Sequence, residues 1–230
     1  MITLVIPVYN TPEKYLRQCL ASVDNQAVPC PVLIINDGST DPQTLQVLQE
    51  YRQKYTVIDK ENGGLSDAMN RGITECKTPW LLKLDSDDVA KPLLVKKMLL
   101  AAGSEAELEV DVIGCQIRAF GEAQYTTSHS REVTPQSILE NKLFWPVNNT
   151  GVCMRVSTLK DLGGYALCRE GLAEDYELWV NILLNRGQIR NLPEILVHYR
   201  VRDNSLRTVN KTYRNVVFLE RCREKLKWLL

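Results

Sequence analysis

Four short apolar runs, each ending abruptly on acid or amide side chains, constrain this chain more than any other feature. Ile2 to Pro7 leads to Asn10, Val32 to Ile35 to Asn36-Asp37, Thr56 to Ile58 to Glu61-Asn62, and Trp80 to Leu84 to Asp85-Ser86-Asp87-Asp88. Short continuous apolar runs suit strands covered on both faces, the setting of a parallel sheet. Helices are expected between them. Thr11 is a good N-cap with Pro12 at the first helical position, and Tyr15, Leu16, Cys19, Leu20 and Val23 share one face. Asp41-Pro42 repeats that signal, with Leu45, Leu48 and Tyr51 as the stripe, and Ser66 to Cys76 forms a helix turning Leu65, Ala68, Met69, Gly72 and Ile73 inward. The alternation predicts an α/β fold, a mostly parallel Rossmann-like sheet with helices on both faces. Ligands in such sheets bind beyond the carboxyl ends of the strands, where all four polar tips lie.

The second half is less regular. A strand is expected over Val110–Phe120, a polar loop or hairpin over Glu122–Arg131, and a short helix opening at Thr134-Pro135. A strand then runs over Gly151–Val156, Ser157 caps a brief helix stopped by Gly163-Gly164, and a strong helix covers Ala173–Asn185 with Leu178, Ile182 and Leu183 inward. No linker divides the chain. The expected organisation is one domain over 1–205, in two halves (1–100 and 101–205), followed by a helical extension over 206–230.

Charge excludes one large class of partner. With 28 Lys+Arg against 28 Asp+Glu the net charge is zero, which argues against nucleic acid held by bulk electrostatics. No apolar run reaches the ~20 residues of a membrane span, and the first residues carry no basic segment or cleavage site. A cytoplasmic protein is expected. The seven cysteines include no CxxC pair and are read as reduced, mostly buried thiols. Two Asn-x-Thr triplets, at Asn148 and Asn210, carry little meaning without a secretory route.

Four clusters hold chemistry. Asp85 and Asp87, at i and i+2 past a buried strand, can converge on a hard divalent cation that bridges a diphosphate; an acidic turn capping the next helix would look the same. Asp37, within Asn36-Asp37-Gly38-Ser39-Thr40-Asp41, has no evident capping duty and is available to accept from a nucleobase N–H. Asn62-Gly63-Gly64-Leu65-Ser66 lets backbone approach a phosphate at a helix start, or marks a plain turn. Glu174-Asp175 opens a helix, where acid complements the dipole; near an active site such a carboxylate could instead take a proton from an attacking hydroxyl.

Together these stretches resemble the successive motifs of family 2 glycosyltransferases. The resemblance rests on Ile6-Pro7-Val8-Tyr9-Asn10, the Asn36–Asp41 turn, Asn62–Ser66 with Asn70 and Gly72, and Leu84–Asp88. Gly163-Gly164-Tyr165, Glu174–Trp179 and Tyr199-Arg200 continue in the family's order, so the similarity runs from Ile2 to about Ser205. It implies a GT-A nucleotide-diphospho-sugar transferase fold and an inverting transfer from a nucleotide-diphospho-sugar, a UDP-sugar favoured, to a glycan or lipid-linked acceptor. It further implies Tyr9 and Asp37 at the base, Asp85 at the ribose or metal, Asp87 on Mn²⁺ or Mg²⁺, and Asp175 as general base. Pro7, Asn10, Gly64, Asn70, Ser86, Asp88, Glu174, Trp179 and Arg202 complete the implied substrate-binding set. Two departures stand out. Met69 occupies a place where many relatives carry Arg, unless Arg71 substitutes, and Arg202 a place where many carry His. Arginine pairs with phosphate but does not ligate a metal.

Lys211 to Leu230 carries six basic and two acidic residues on a helical pattern, read first as a helix packed on the domain with a solvated basic face. Contact with an anionic membrane at the inner face, where a lipid-linked acceptor would lie, is the sharper alternative. Other function classes fit less. An Asp-x-Asp phosphatase wants its pair after the first strand, a dinucleotide oxidoreductase wants GxGxxG there, and a non-catalytic nucleotide-binding protein would leave Asp85, Asp87 and Asp175 without a task.

Overall fold

The computed structural model describes residues 1–105, 110–140, 145–167, 173–202 and 213–230. Cys168, Ser205, Lys211 and the triplet 210–212 lie outside the described residues.

The four apolar runs are the strands β1 (Ile2–Val8), β2 (Val32–Asp37), β3 (Thr56–Lys60) and β4 (Trp80–Lys83). They pair in parallel in the order β3-β2-β1-β4, with helices α1 (Glu13–Asp24), α2 (Pro42–Tyr51) and α3 (Leu65–Glu75) between them. The sheet continues through the second half as β8 (Val152–Arg155), β6 (Val110–Gly121), β9 (Gln188–Val201) and the two-residue β5 (Val89–Ala90), with β7 (Glu132–Val133) also on β9. Here the directions are mixed. β8 is antiparallel to both β4 and β6, whereas β6 and β9 run parallel. One sheet therefore joins both halves.

Alternation along β1 feeds two cores. Ile2, Leu4, Ile6 and Val8 point into a layer with α1, α2 and α4 (Leu94–Glu105). Val5 joins the opposite layer, built from α3, α6 (Val156–Asp161), α7 (Glu174–Leu184) and α8 (Tyr213–Leu226). The short α5 (Pro135–Glu140) adds Ile138 to that second layer. On α8, Cys222 and Leu226 are buried and Arg223 donates to the carbonyl of Leu139 at 2.7 Å, so the helix is packed on the domain. A 3₁₀ turn (Lys227–Leu229) comes next, with Trp228 exposed. Among the described residues, no helix is long and apolar enough to cross a membrane.

Three local expectations need correction. Thr11 does not cap α1: Pro12 takes the cap position, and the Thr11 hydroxyl is spent on Ser86 at 2.6 Å. Ser157 lies inside α6, which Arg155 precedes as cap residue. On α2, Asp41 caps as expected, accepting from Thr44 N at 2.7 Å, but the buried stripe is Thr44, Val47 and Leu48 while Leu45 is exposed. Thr44, Val47, Leu48 and the partly buried Tyr51 form the i, i+3, i+4, i+7 stripe, with Thr44 Oγ1 donating to the Thr11 carbonyl at 2.9 Å. The long strand β9 has no counterpart in the sequence pattern, because its Arg, Asn, Pro and Glu residues break any period.

The packing of α2 gives a direct test. Leu48→Ala should lower unfolding free energy by about 2–5 kcal/mol, whereas Leu45→Ala should stay within about 0.5 kcal/mol of wild type. Urea denaturation measures both, and equal losses would restore Leu45 to the stripe.

Candidate active site

β4 ends at Lys83, whose side chain is fully buried. Its ammonium bonds the Asp85 carboxylate and the Asn149 carbonyl, the partners that a buried charge requires. The Asp85 N–H donates to Thr150 Oγ1 at 3.2 Å. Asp87 pairs with Arg202 Nη2 at 2.6 Å, and its carbonyl accepts from Arg200 Nε at 2.8 Å. The Arg200 guanidinium also lies over Tyr15 (4.1 Å) and Phe120 (4.5 Å). Asp88 is fully buried and accepts the Arg200 N–H at 2.8 Å. Burial, and then the charges of Asp85 and Asp87, push its carboxyl well above the usual range. Asp87 is raised by burial and Asp85, against the pull of Arg202. The acidic turn is thus gripped from β1–α1, from the segment before β8, and from β9. Ser86 and Asp88, expected against substrate, are turned into the protein instead, one on Thr11 and the other on the β9 backbone.

At the end of β2, Asp37 is buried and already engaged. Oδ1 accepts from Lys60 Nζ (2.6 Å) and Gly63 N (3.0 Å), and Oδ2 from Gly64 N (2.9 Å). It sets the turn that starts α3 and, with a carboxylate's four lone pairs, retains one acceptor direction. Gly38 has φ +71°, and a Cβ there would come within 2.6 Å of Asn62 N. A Cβ on Gly64 (φ +85°) would meet nothing within 4 Å, so that backbone faces open space. Asn10 is corrected from ligand contact to loop clamp: Oδ1 accepts from Thr40 N (2.7 Å) and Asp41 N (2.9 Å). Pro7 is buried within β1 opposite Ile35 and contributes backbone shape alone. Tyr9 is 54% exposed beside this turn, open to a planar ligand.

The third element is the start of α7. Asp175 is buried; Oδ1 accepts the Tyr176 N–H at 2.9 Å and Oδ2 the Trp145 Nε1–H at 2.8 Å. Burial, and then the Glu174 charge, push its carboxyl up to about 7, against the two N–H donors and the Lys83 charge. The buried Tyr165 phenol feels Asp175, Glu174 and Asp85 together, so acids 90 residues apart in sequence converge on one region.

Two further expectations are overturned by burial or prior bonding. Trp179 is completely buried in the core below Asp175 and offers no face to a ligand. Asn70 spends both ends of its amide on the Tyr165 backbone, at 2.8 and 2.7 Å. Arg71 does not replace an arginine at Met69: it pairs with Glu75 at 3.0 Å on the outer face of α3, while Met69 is buried. Sequence reasoning missed Lys83, Trp145 and the grip of Arg200. Lys83 had a signal, a lone charge in an apolar strand; Arg200 stood within the Tyr199-Arg200 pair but nothing there showed its partners, and Trp145 had no signal.

The donor set fits a hard divalent cation in part. Asp85 and Asp87 offer carboxylate oxygens, each group already sharing its charge with Lys83 or Arg202. Among the described residues no third His, Cys, Asp or Glu joins them as a metal cluster. A cation here would complete its shell with diphosphate oxygens and water, as Mg²⁺ commonly does.

The family model described as glycosyl transferase family 2 matches residues 3–161. A Haemophilus influenzae protein named as an uncharacterized glycosyltransferase is 31% identical over 196 residues, covering 82% of this chain and 71% of its own. The Escherichia coli O-antigen biosynthesis glycosyltransferase WbnJ is 28% identical over 215 residues, covering 89% and 81%. In fold, the chain superposes on Staphylococcus aureus TarS 1–349 in complex with UDP-GlcNAc with a TM-score of 0.77 at 22% identity, covering 98% of this chain and 66% of that one. The likeness in structure is of the GT-A fold.

The bonding of Asn70 predicts a split between stability and affinity. Asn70→Ala should cost about 1–3 kcal/mol by leaving the Tyr165 backbone groups unmatched, with nucleotide affinity unchanged. Calorimetry beside thermal melts checks this; weakened nucleotide binding at an unaltered Tm would return Asn70 to the ligand.

Proposed function

The chain belongs to glycosyl transferase family 2, and we propose that it moves a sugar from a nucleotide-diphospho-sugar to an acceptor hydroxyl of a glycan or glycolipid with inversion at the anomeric carbon. The observation that carries this reading is the state of Asp175. A buried carboxyl with its pKa near 7 and both oxygens oriented by N–H donors has the proton affinity of a general base at neutral pH. Inverting transfer needs one such base and a stabilised leaving diphosphate, in a single in-line displacement without a covalent intermediate.

Asp175 takes the proton from the acceptor hydroxyl as its oxygen approaches the anomeric carbon. Tyr9 packs on the base and the remaining acceptor direction of Asp37 receives a ring N–H. The open backbone at Gly64 lies at the start of α3, where phosphate is favoured. Asp85 and Asp87 would hold Mn²⁺ or Mg²⁺, which when bound neutralises charge on the departing diphosphate. Arg202, beside Asp87, adds a fixed positive charge there. A UDP-sugar is the preferred donor because TarS, of the same fold, binds UDP-GlcNAc and UDP. The name of the E. coli relative, which places it in O-antigen biosynthesis, supports a glycan acceptor.

A donor screen with UDP-, GDP- and dTDP-sugars, with Mn²⁺ and then with EDTA, tests the donor end. Asp87→Ala should weaken nucleotide binding in Mn²⁺ at least ~10-fold with little change in Tm. Equal affinity with Mn²⁺ and EDTA would remove the metal from the reading.

The base has its own signature in pH. Because the ionised form is the active one, release of UDP from donor should rise with pH through about 7 and level off above it. Asp175→Asn should lower turnover by ~10²–10⁴ with donor affinity barely moved, and Glu174→Gln should be milder. The folded state holds this proton above the unfolded pKa, so ionising Asp175 withdraws stability as pH rises from about 4 to 7. The Asn variant should lack that slope in a melting series. Wild-type turnover in Asp175→Asn would move the base elsewhere.

A further inference from the structure

We propose that Trp145 is a positioning residue for the Asp175 carboxylate, and that the segment from Trp145 to Thr150 fixes that carboxylate relative to the Asp85–Asp87 turn. The inference rests on the reading of Asp175 as base. Both Asp175 oxygens are held by donors that carry no charge, the Trp145 indole N–H at 2.8 Å and the Tyr176 amide at 2.9 Å. An arginine or lysine would also orient the group, but would pull its proton affinity down and leave a poor base. An indole N–H aims the carboxylate without neutralising it, and it neither gains nor loses a proton in the working range. The ring is steadied edge-on against Tyr176, with centroids 5.6 Å apart and planes at 67°. Yet it remains 36% exposed, which is a poor use of tryptophan if packing were its whole task.

The residues just after Trp145 extend the contact well beyond its neighbourhood. The Pro146 carbonyl accepts from Asn191 Nδ2 at 3.0 Å, and Asn148 Nδ2 donates to the Cys115 carbonyl at 2.8 Å. The Asn149 carbonyl then receives the Lys83 ammonium, and Thr150 Oγ1 receives the Asp85 N–H at 3.2 Å. Five residue steps span at most roughly 18 Å even when extended. A single tethered stretch of backbone therefore holds the base at one end and the acidic turn at the other. The charged and titratable groups facing Asp175 are Glu174 on its own helix, Lys83 from β4 and the Tyr165 phenol from the turn after α6.

NMR of metal-free, full-length protein carrying ¹³C-aspartate and ¹⁵N-tryptophan tests this without a known acceptor. The Asp175 signal is identified by its loss in Asp175→Asn, and the Trp145 indole signal by its loss in Trp145→Phe. In wild type the Trp145 Nε1–H resonance should titrate together with Asp175, with a midpoint near 7. In Trp145→Phe the Asp175 midpoint should rise by about one unit, a tenfold change in proton affinity. A flat indole resonance in wild type, or an Asp175 midpoint unmoved by Trp145→Phe, overturns the proposal; the wild-type titration decides if the variant does not fold. The two readings fail separately. An Asp175→Asn enzyme with full turnover removes the base but not the titrations, whereas an inactive one beside an unmoved midpoint removes only the role of Trp145.

Discussion

A lysine ammonium sealed inside the sheet governs the arrangement of this site. Lys83 sits at the carboxyl end of β4 with no solvent around its side chain. A lone buried charge is costly, and removing one partner of such a pair commonly costs about 3–5 kcal/mol. The strand end must therefore bring an acid and a carbonyl to the same point. Asp85 supplies one, and Asn149, from the segment leading into β8, supplies the other. That requirement ties the first half of the chain to the second where the chemistry is placed. Asp85 in the acidic turn is thus accounted for by a buried cation that the strand itself supplies.

Many polar residues near the strand ends are occupied in holding loops rather than awaiting a ligand. Asn10 closes the loop after β2, Asp37 fixes the start of α3, Asn70 ties α3 to Tyr165, and Ser86 and Asp88 lock the acidic turn. Exposed toward the strand ends are Tyr9 and the Gly64 backbone, while Asp85 and Asp87 keep carboxylate oxygens beyond their pairing with Lys83 and Arg202. A site whose loops are already bonded loses little further freedom when a ligand arrives, which favours preorganised binding.

The legible part of the molecule was the part written locally. The parallel half came from apolar runs alternating with proline-marked helix starts, and the carboxyl-end tips of those strands marked the site. Asp41 capped its helix because Asp-Pro at a helix start depends on its immediate neighbours. The family motifs extended this reading to Asp175. Illegible were features set by distant partners. Asn10 and Asn70 look like ligand contacts in sequence because nothing nearby shows that Thr40, Asp41 and Tyr165 consume their amides. Trp179 shares a motif and a helix face with Asp175, yet one turn further on that face is sealed within the core. Strand β9 carries too many polar residues to be read as buried sheet, and its register beside β6 arises only once both strands are in place.

Strand β9 is also made late in synthesis. Arg200 and Arg202 hold Asp87 and Asp88, more than 110 residues earlier in the chain. A ribosome that has completed residues 3–161, the stretch matched by the family model, has made β1 to β8 and the acidic turn but neither Asp175 nor β9. Until β9 emerges and pairs with β6, the acidic turn lacks its guanidinium clamp and keeps three crowded carboxylates uncompensated by it. A nascent or prematurely ended chain would thus carry the path β3-β2-β1-β4-β8-β6 beside an acidic turn still without its arginines.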